Sequence, residues 1–110
     1  MQFLTQRVNH SMLKDQVGKS VRFVGKVTHL QGNEAKLLSP DSVEVSIIRE
    51  PNSLKYSSDF VEVVGTVNSN LSIKESQFVN FGNNFDLQTY NEMLQLSTQF
   101  PEIFQPDKQN

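Results

Sequence analysis

The sequence predicts a small barrel of five short β-strands followed by one C-terminal α-helix. Three observations support this fold class. Between residues 20 and 84, turn residues separate short runs in which apolar and polar residues alternate. Helical periodicity is sustained only after residue 85. Two glycines, Gly25 and Gly65, lie inside predicted strands, where glycine usually marks a bend or the close approach of another backbone.

The predicted strands follow a short helical segment. That segment lies between Val8 and Val17 and is expected to end at Gly18. In the first strand, Val21 and Phe23 alternate with polar residues, as in a half-buried strand. The five strands are predicted at residues 20–30, 35–38, 43–47, 60–67 and 71–81. Five short strands and a following helix indicate an OB-fold barrel, the oligonucleotide- and oligosaccharide-binding fold.

The chain of 110 residues is expected to form one domain with an appended helix. The barrel, with its short helical segment, is predicted in residues 1–84. An assembly helix is predicted in residues 85–104, and a tail in residues 105–110.

The C-terminal helix has a wider apolar face than a small barrel can cover. Asp86 is expected to cap its N-terminus, and Phe85 to contact Tyr90 as a hydrophobic staple. At about 100° per residue, the apolar side chains span roughly 180°, whereas a helix lying on a domain needs about 100°. These side chains are Leu87, Tyr90, Met93, Leu94, Leu96 and Phe100. The surplus predicts packing against partner helices, rather than a helix that only closes one end of its own barrel.

Composition excludes several classes of protein. Without cysteine, neither a disulfide framework nor a thiolate metal site is available. The first residues lack a basic segment followed by a long apolar run, as a signal peptide would have. No apolar stretch approaches the roughly 20 residues that span a bilayer. The chain is therefore expected to be soluble and intracellular.

Charge is distributed unevenly along the chain. Residues 1–74 contain nine basic and seven acidic side chains, whereas residues 75–110 contain one basic and five acidic ones. The first part could tolerate a phosphate backbone weakly, and the second would repel one. This is not the strongly basic footprint of a dedicated nucleic-acid-binding protein.

Neither a catalytic nor a metal-binding constellation can be assembled from the sequence. The two histidines, His10 and His29, lie on different predicted elements, without metal-site spacing or a nucleophile partner. Carboxylates in predicted turns and on exposed strand faces, among them Asp41 and Glu62, are explained by solvation. We therefore expect no enzymatic activity, no metal and no cofactor.

A weak nucleic-acid contact is the remaining prediction for the barrel. Arg22 and Lys26 lie on the outer face of the first strand, and Lys36 lies on the second. An OB barrel that binds single strands combines such cations with stacking aromatic side chains. Here the aromatic residues cluster toward the C-terminus instead. Because each missing stack forfeits about 1–3 kcal/mol, binding by this chain alone should be weak.

Several short stretches, taken in chain order, match one known family. They are residues 7–9, 12–13, 18–27, 61–67, 84–87, 90–92 and 100–102. Among them are Arg-Val-Asn near the start and Asn-Phe-Asp-Leu at the helix start. Together they resemble the smallest subunit of replication protein A, the eukaryotic heterotrimer that binds single-stranded DNA.

The resemblance implies an OB barrel whose C-terminal helix joins helices of the middle and large subunits in a three-helix bundle. It implies a nuclear assembly subunit in DNA replication, repair and recombination, with single-stranded DNA held mainly by the other subunits. Carried over to matching positions, the bundle residues are Leu87, Tyr90, Met93, Leu94, Ser97 and Phe100.

Two alternatives remain open from the sequence. A telomere-capping complex uses a related small OB subunit with the same plan of barrel and helix. A free-standing OB protein that binds single-stranded DNA or RNA is the other alternative. Salt-dependent binding of nucleic acid by the isolated chain would favour the free-standing protein. An isolated chain that is insoluble or self-associates would favour a subunit of a complex.

Overall fold

The computed structural model describes residues 5–99 of the chain, and the side chains of residues 5–96. The elements in chain order are β1 (Gln6–Val8), a 3₁₀ helix (His10–Asp15), β2 (Ser20–Gln31), β3 (Glu34–Leu38), β4 (Glu44–Ile48), β5 (Phe60–Val67), β6 (Ile73–Gly82) and α1 (Leu87–Gln99). The helix begins at Leu87, directly after the predicted cap residue Asp86, and residues 100–104 of the predicted assembly segment lie outside the described residues.

Strands β2 to β6 close into a ring. Strand β2 pairs with β3, β3 with β4, β4 with β6, and β6 with β5, which returns to pair with β2. The predicted five-stranded barrel is therefore confirmed, with each strand within about two residues of its predicted bounds.

The structure adds one strand that the sequence analysis did not predict. Strand β1 pairs in parallel with β2, from Gln6 opposite Val21 to Val8 opposite Phe23. Because β5 pairs with the other edge of this part of β2, β1 and β3 share one edge of β2. Three residues are too few to show an alternating period, so the sequence pattern had no means of revealing this strand.

The barrel interior is filled by apolar side chains from all of its strands and from the 3₁₀ helix. The buried cluster is Val8, Leu13, Val21, Phe23, Ala35, Leu37, Val45, Ile47, Tyr56, Val61, Val63, Val67 and Ile73. The alternation predicted for β2 and β5 is thus confirmed at Val21, Phe23, Val61 and Val63.

Both mid-strand glycines are sites of close backbone approach. A Cβ atom on Gly25 would lie 2.8 Å from the carbonyl oxygen of Leu38, and one on Gly65 would overlap the carbonyl of Lys74. At Gly65 the register between β5 and β6 also shifts, as at a β-bulge. A side chain at either position would push neighbouring strands apart, which agrees with the role predicted from the sequence.

The ring closes at a short parallel seam between β4 and β6. Only Ile47 with Ile73 and Ile48 with Lys74 are in register there. Next along this seam, the buried guanidinium of Arg49 donates from Nε to the carboxylate of Glu75, with N–O distances of 3.2 and 3.1 Å. An ion pair between side chains therefore continues the closure where backbone pairing ends.

A tyrosine completes this buried ion pair. The hydroxyl of Tyr56 donates to Glu75 Oε1 at 2.5 Å, and Arg49 lies 4.0 Å from the centre of the Tyr56 ring. Burial raises the pKa of Tyr56 above its ordinary value, and the neighbouring Glu75 raises it further. Tyr56 is therefore a neutral hydrogen-bond donor to a buried carboxylate.

Candidate protein–protein interface on the C-terminal helix

The N-terminus of α1 is capped as the sequence predicted. Asp86 Oδ1 accepts from the backbone N–H of Thr89 at 3.0 Å, and Oδ2 accepts from the Thr89 hydroxyl at 2.9 Å. These hydrogen bonds, the backbone one first, lower the pKa of Asp86 below its ordinary value. The cap fixes where the helix starts and hence which residues fall on each of its sides.

Aromatic side chains join the helix start to the barrel. The ring of Phe85 lies 5.4 Å from that of Tyr90, so the predicted staple is present. Phe85 also lies 5.3 Å from the ring of Phe81 on β6 and 6.0 Å from that of Phe60 on β5. Tilted and edge-on contacts of this kind are favourable, and they seat the first turn of α1 on β5 and β6.

One side of α1 faces its own barrel. Leu94 is only 5 % exposed, although it does not belong to the cluster inside the barrel. Asn91 Oδ1 accepts a hydrogen bond of 2.8 Å from the side-chain amide of Asn9, which follows β1. The helix therefore lies on the outer surface of the barrel and does not close one of its ends.

The surface beneath the helix contains charged side chains. Glu62 is buried, although it alternates with inward valines on β5, and its Oε2 atom lies 3.6 Å from Arg7 Nε. Burial raises the pKa of Tyr90 to about 12, with Arg7 lowering it and Glu62 raising it. The sequence predicted a solvated Glu62, which is wrong. Its alternating position was interpreted correctly, but no local signal showed that a helix would cover it.

The other side of α1 is apolar and uncovered by the described part of the chain. Met93 is 54 % exposed and Leu96 is 41 % exposed. The wide apolar arc therefore divides into a half that packs on the barrel and a half that faces outward. An outward apolar half on a helix whose other half is already packed is typical of a protein–protein contact.

The predicted bundle residues divide in the same way. Leu94 is buried against the chain itself, Leu87 and Tyr90 are half-buried, and Met93 is exposed. The side chain of Ser97 lies outside the described side chains, and Phe100 lies outside the described residues. Leu96 belongs to the outward half. It is part of the apolar arc of the helix but is not among the bundle residues that the family resemblance implies.

The three predicted nucleic-acid contacts do not form one group. Lys26 pairs with Leu38, and Lys36 is the next outward residue on β3. Arg22 lies further along β2, half-buried, and its Nε atom donates to Thr5 Oγ1 at 2.9 Å. Its charge acts to lower the pKa of Tyr90, which is on α1. Arg22 therefore belongs to the helix-covered surface, and only Lys26 and Lys36 share the open face of β2 and β3.

The open face offers little for nucleic acid to bind. Outward positions across β3 and β4 place Lys36 beside Ser46, and Leu38 beside Glu44. Glu44 accepts a hydrogen bond of 2.6 Å from the hydroxyl of Thr28. The outward residues of β3 and β4 include no aromatic side chain. A base would find no stacking partner on these two strands.

Two further findings concern the part of the chain that the structure describes. Within residues 5–99, no three His, Cys, Asp or Glu side chains are grouped so that they could hold a metal ion. In the same residues, no helix has the length and apolar character needed to cross a membrane.

Comparison with known proteins identifies the family. A family model described as Replication factor A protein 3 matches residues 1–104. One of the 14 kDa subunits of replication protein A from Arabidopsis thaliana is 31% identical over 98 residues, which are 88% of this chain and 91% of that protein. A chain of the solved structure of U. maydis replication protein A bound to ssDNA superposes with a TM-score of 0.87 at 37% identity, over 94% of this chain and 98% of that chain.

A telomere complex shares the fold alone. A chain of the S. pombe Stn1–Ten1 complex superposes with a TM-score of 0.71 at 14% identity, over 91% of this chain and 97% of that chain. The barrel with its C-terminal helix is an OB fold, as predicted from the sequence. With a family model covering most of its length and a relative above 30% identity, the chain belongs to the replication factor A protein 3 family.

Proposed function

We propose that this chain is the smallest subunit of a replication protein A complex and that its role there is assembly. The observation that supports this is the outward apolar half of α1, at Met93 and Leu96, on a chain of the replication factor A protein 3 family. Its partners are the middle and large subunits, whose helices join α1 in a three-helix bundle. The subunit serves DNA replication, repair and recombination in the nucleus.

The proposed subunit has no catalytic role and holds single-stranded DNA mainly through its partners. The open face supports the second point, because the outward residues of β3 and β4 include no aromatic side chain. Of the residues carried over from the family, we propose Leu87, Tyr90, Met93, Ser97 and Phe100 for the interface, with Leu96 added. Leu94 is left out because it is buried against the barrel.

The experiment is reconstitution of the heterotrimer with variants of the outward half of α1. Met93→Asp with Leu96→Asp places two charges where apolar contacts should form, and each fully buried large side chain contributes about 1.5–3 kcal/mol. We expect assembly to weaken by about 100-fold or more. Leu54→Asp, at a largely exposed apolar position on the loop before β5, is the matched control.

Both variants should keep the circular dichroism spectrum and melting temperature of the original chain, because the changed side chains are exposed. If the double variant assembles as tightly as the Leu54→Asp control, the interface is not on this half of α1. Imaging of the tagged chain in cells tests the nuclear placement separately.

A further inference from the structure

The two flanks of α1 are chemically different. Directions around the helix are measured from Tyr90, at about 100° per residue. Asn91 points to one flank, and Met93 and Leu96 point to the opposite flank. Leu94 points between Tyr90 and Asn91. Leu94 is buried, and Asn91 accepts a hydrogen bond from Asn9. Met93 and Leu96 are exposed. The apolar flank is therefore the one that faces away from β1.

The strand register shows what lies beyond that flank. Val8 pairs with Phe23, so Asn9 lies beside Val24. Val24 pairs with Glu62, and Glu62 pairs with Val79. A row on the outer surface therefore runs from Asn9 across β2 and β5 to Val79 on β6. Because α1 is held at Asn9 and lies over Glu62, its apolar flank faces Val79.

Val79 is itself an unusual residue for this position. It lies near the middle of β6, yet its side chain points outward and is 51 % exposed. Phe81, the next outward residue, contacts Phe85 at the start of α1. The helix flank and the outer face of β6 thus form two apolar sides of one groove, lined by Val79, Phe81, Met93 and Leu96.

The exposed charges on the helix side of the groove are acidic. Residues 75–99 contain no lysine or arginine. Asp86 and Glu92 are exposed, and helical geometry places Asp86 near the direction of Met93 and Glu92 near that of Leu96. An occupant with basic side chains beside an apolar stripe would match both properties.

We propose that the partner-binding surface extends from α1 onto β6, and that the groove seats one amphipathic helix of a partner subunit with basic residues along its flank. This inference rests on the proposed assembly function and adds the barrel surface at Val79 to it. The partner helix would then contact both α1 and the outer face of β6 on the barrel.

Cysteine labelling tests this inference at single chosen positions, because the chain contains no cysteine of its own. Val79→Cys, Met93→Cys and Ile48→Cys each introduce a single reactive thiol, and labelling of this subunit is followed by mass spectrometry. Ile48 is the matched control, since it is also an outward strand residue, 38 % exposed and paired with a glutamate. Rates are compared between the isolated chain and the heterotrimer.

We expect assembly to slow labelling of Val79→Cys and Met93→Cys at least tenfold and to leave Ile48→Cys unchanged. Protection of Met93→Cys without protection of Val79→Cys would overturn the groove while leaving the helix interface intact. Protection of neither would overturn both the groove and the assembly interface.

The charge of the occupant is tested by Glu92→Lys. It should weaken assembly about tenfold, because a lysine would repel the basic flank of the partner helix. Glu50→Lys, at another exposed glutamate, which follows β4, should change assembly less than twofold. Equal effects of the two substitutions would refute a basic occupant.

Discussion

A loop carboxylate illustrates how single residues support distant elements of this fold. Asp41 accepts hydrogen bonds from the backbone N–H groups of His10 at 3.2 Å and Ser11 at 3.0 Å, at the start of the 3₁₀ helix. Burial acts to raise its pKa, but the hydroxyl of Ser39 and these N–H groups outweigh burial, so the pKa lies below its ordinary value of 3.8. The sequence predicted a solvated turn at Asp41, which is incomplete because the backbone donors His10 and Ser11 lie about 30 residues away.

Asp41→Ala should lower the free energy of unfolding by about 1 kcal/mol near neutral pH, as loss of a helix cap does. Because the pKa is lower in the folded chain than in the unfolded one, the contribution of the charge is present above about pH 4. It is lost as pH falls through the folded-state pKa. Urea unfolding at several pH values measures this, and the difference from the original chain should shrink in acid. A difference that grows in acid would contradict the assignment.

The buried pair at the barrel seam should be the most sensitive to a single substitution. Glu75→Ala leaves Arg49 buried without its counter-charge, and breaking a buried pair costs about 3–5 kcal/mol. Replacing both residues, by Arg49→Met with Glu75→Leu, should recover most of that loss, because no unpaired charge remains. Denaturant unfolding of the two variants decides the matter. Equal losses in both would show that packing, rather than charge pairing, holds the seam.

At the scale of the element, α1 combines attachment to its own barrel with the proposed partner contact. Its cap at Asp86 and the aromatic contacts of Phe85 determine how it begins, and Leu94 and Asn91 attach it to the barrel. Its outward half, at Met93 and Leu96, is exposed. Stability and assembly should therefore respond to different residues of the same helix.

Leu94→Ala should lower the free energy of unfolding of the isolated chain by about 2 kcal/mol, since a buried leucine is truncated. Met93→Ala should change it by less than about 0.5 kcal/mol, because that side chain is largely exposed. Thermal and urea unfolding of the isolated chain provide the comparison. Similar losses at both positions would mean that the helix packs on the barrel differently from the arrangement described.

At the scale of the whole molecule, the barrel separates its two exposed surfaces. Helix α1 covers the outer face of β2 and β5, where Arg22 and Glu62 lie. The open face of β2 to β4 contains Lys26 and Lys36 without aromatic residues on β3 and β4. The proposed partner contact and the predicted nucleic-acid contact thus lie on different sides of the barrel.

Lys26→Ala with Lys36→Ala should change the affinity of the assembled heterotrimer for single-stranded DNA less than tenfold, or about 1.4 kcal/mol. Removing two cations weakens only the electrostatic attraction, and no stacking is lost with them. Lys14→Ala with Lys55→Ala removes the same charge from other exposed positions and is the control. Fluorescence anisotropy at two salt concentrations is suitable. A loss well beyond tenfold, specific to the first pair, would show that this face binds DNA substantially.

Much of the fold could be predicted because it depends on local patterns. Alternation and turn residues located all five barrel strands, and Gly25 and Gly65 were correctly interpreted as points of close approach. The short strand β1 was not predicted, because three residues show no period. The buried ion pair of Arg49 and Glu75 was not predicted, because the two residues are distant in sequence.

The sequence by itself determined the family, the barrel with its helix, and the excess apolar surface on that helix. These follow from residue order and from spacing along one element, which a sequence displays directly. Only the tertiary structure decided that Leu94 faces the barrel while Met93 and Leu96 face outward. A helical wheel ranks side chains by direction, but the direction that becomes buried depends on how the helix docks. Docking here depends on Asn9, Phe60 and Phe81, which lie on other elements.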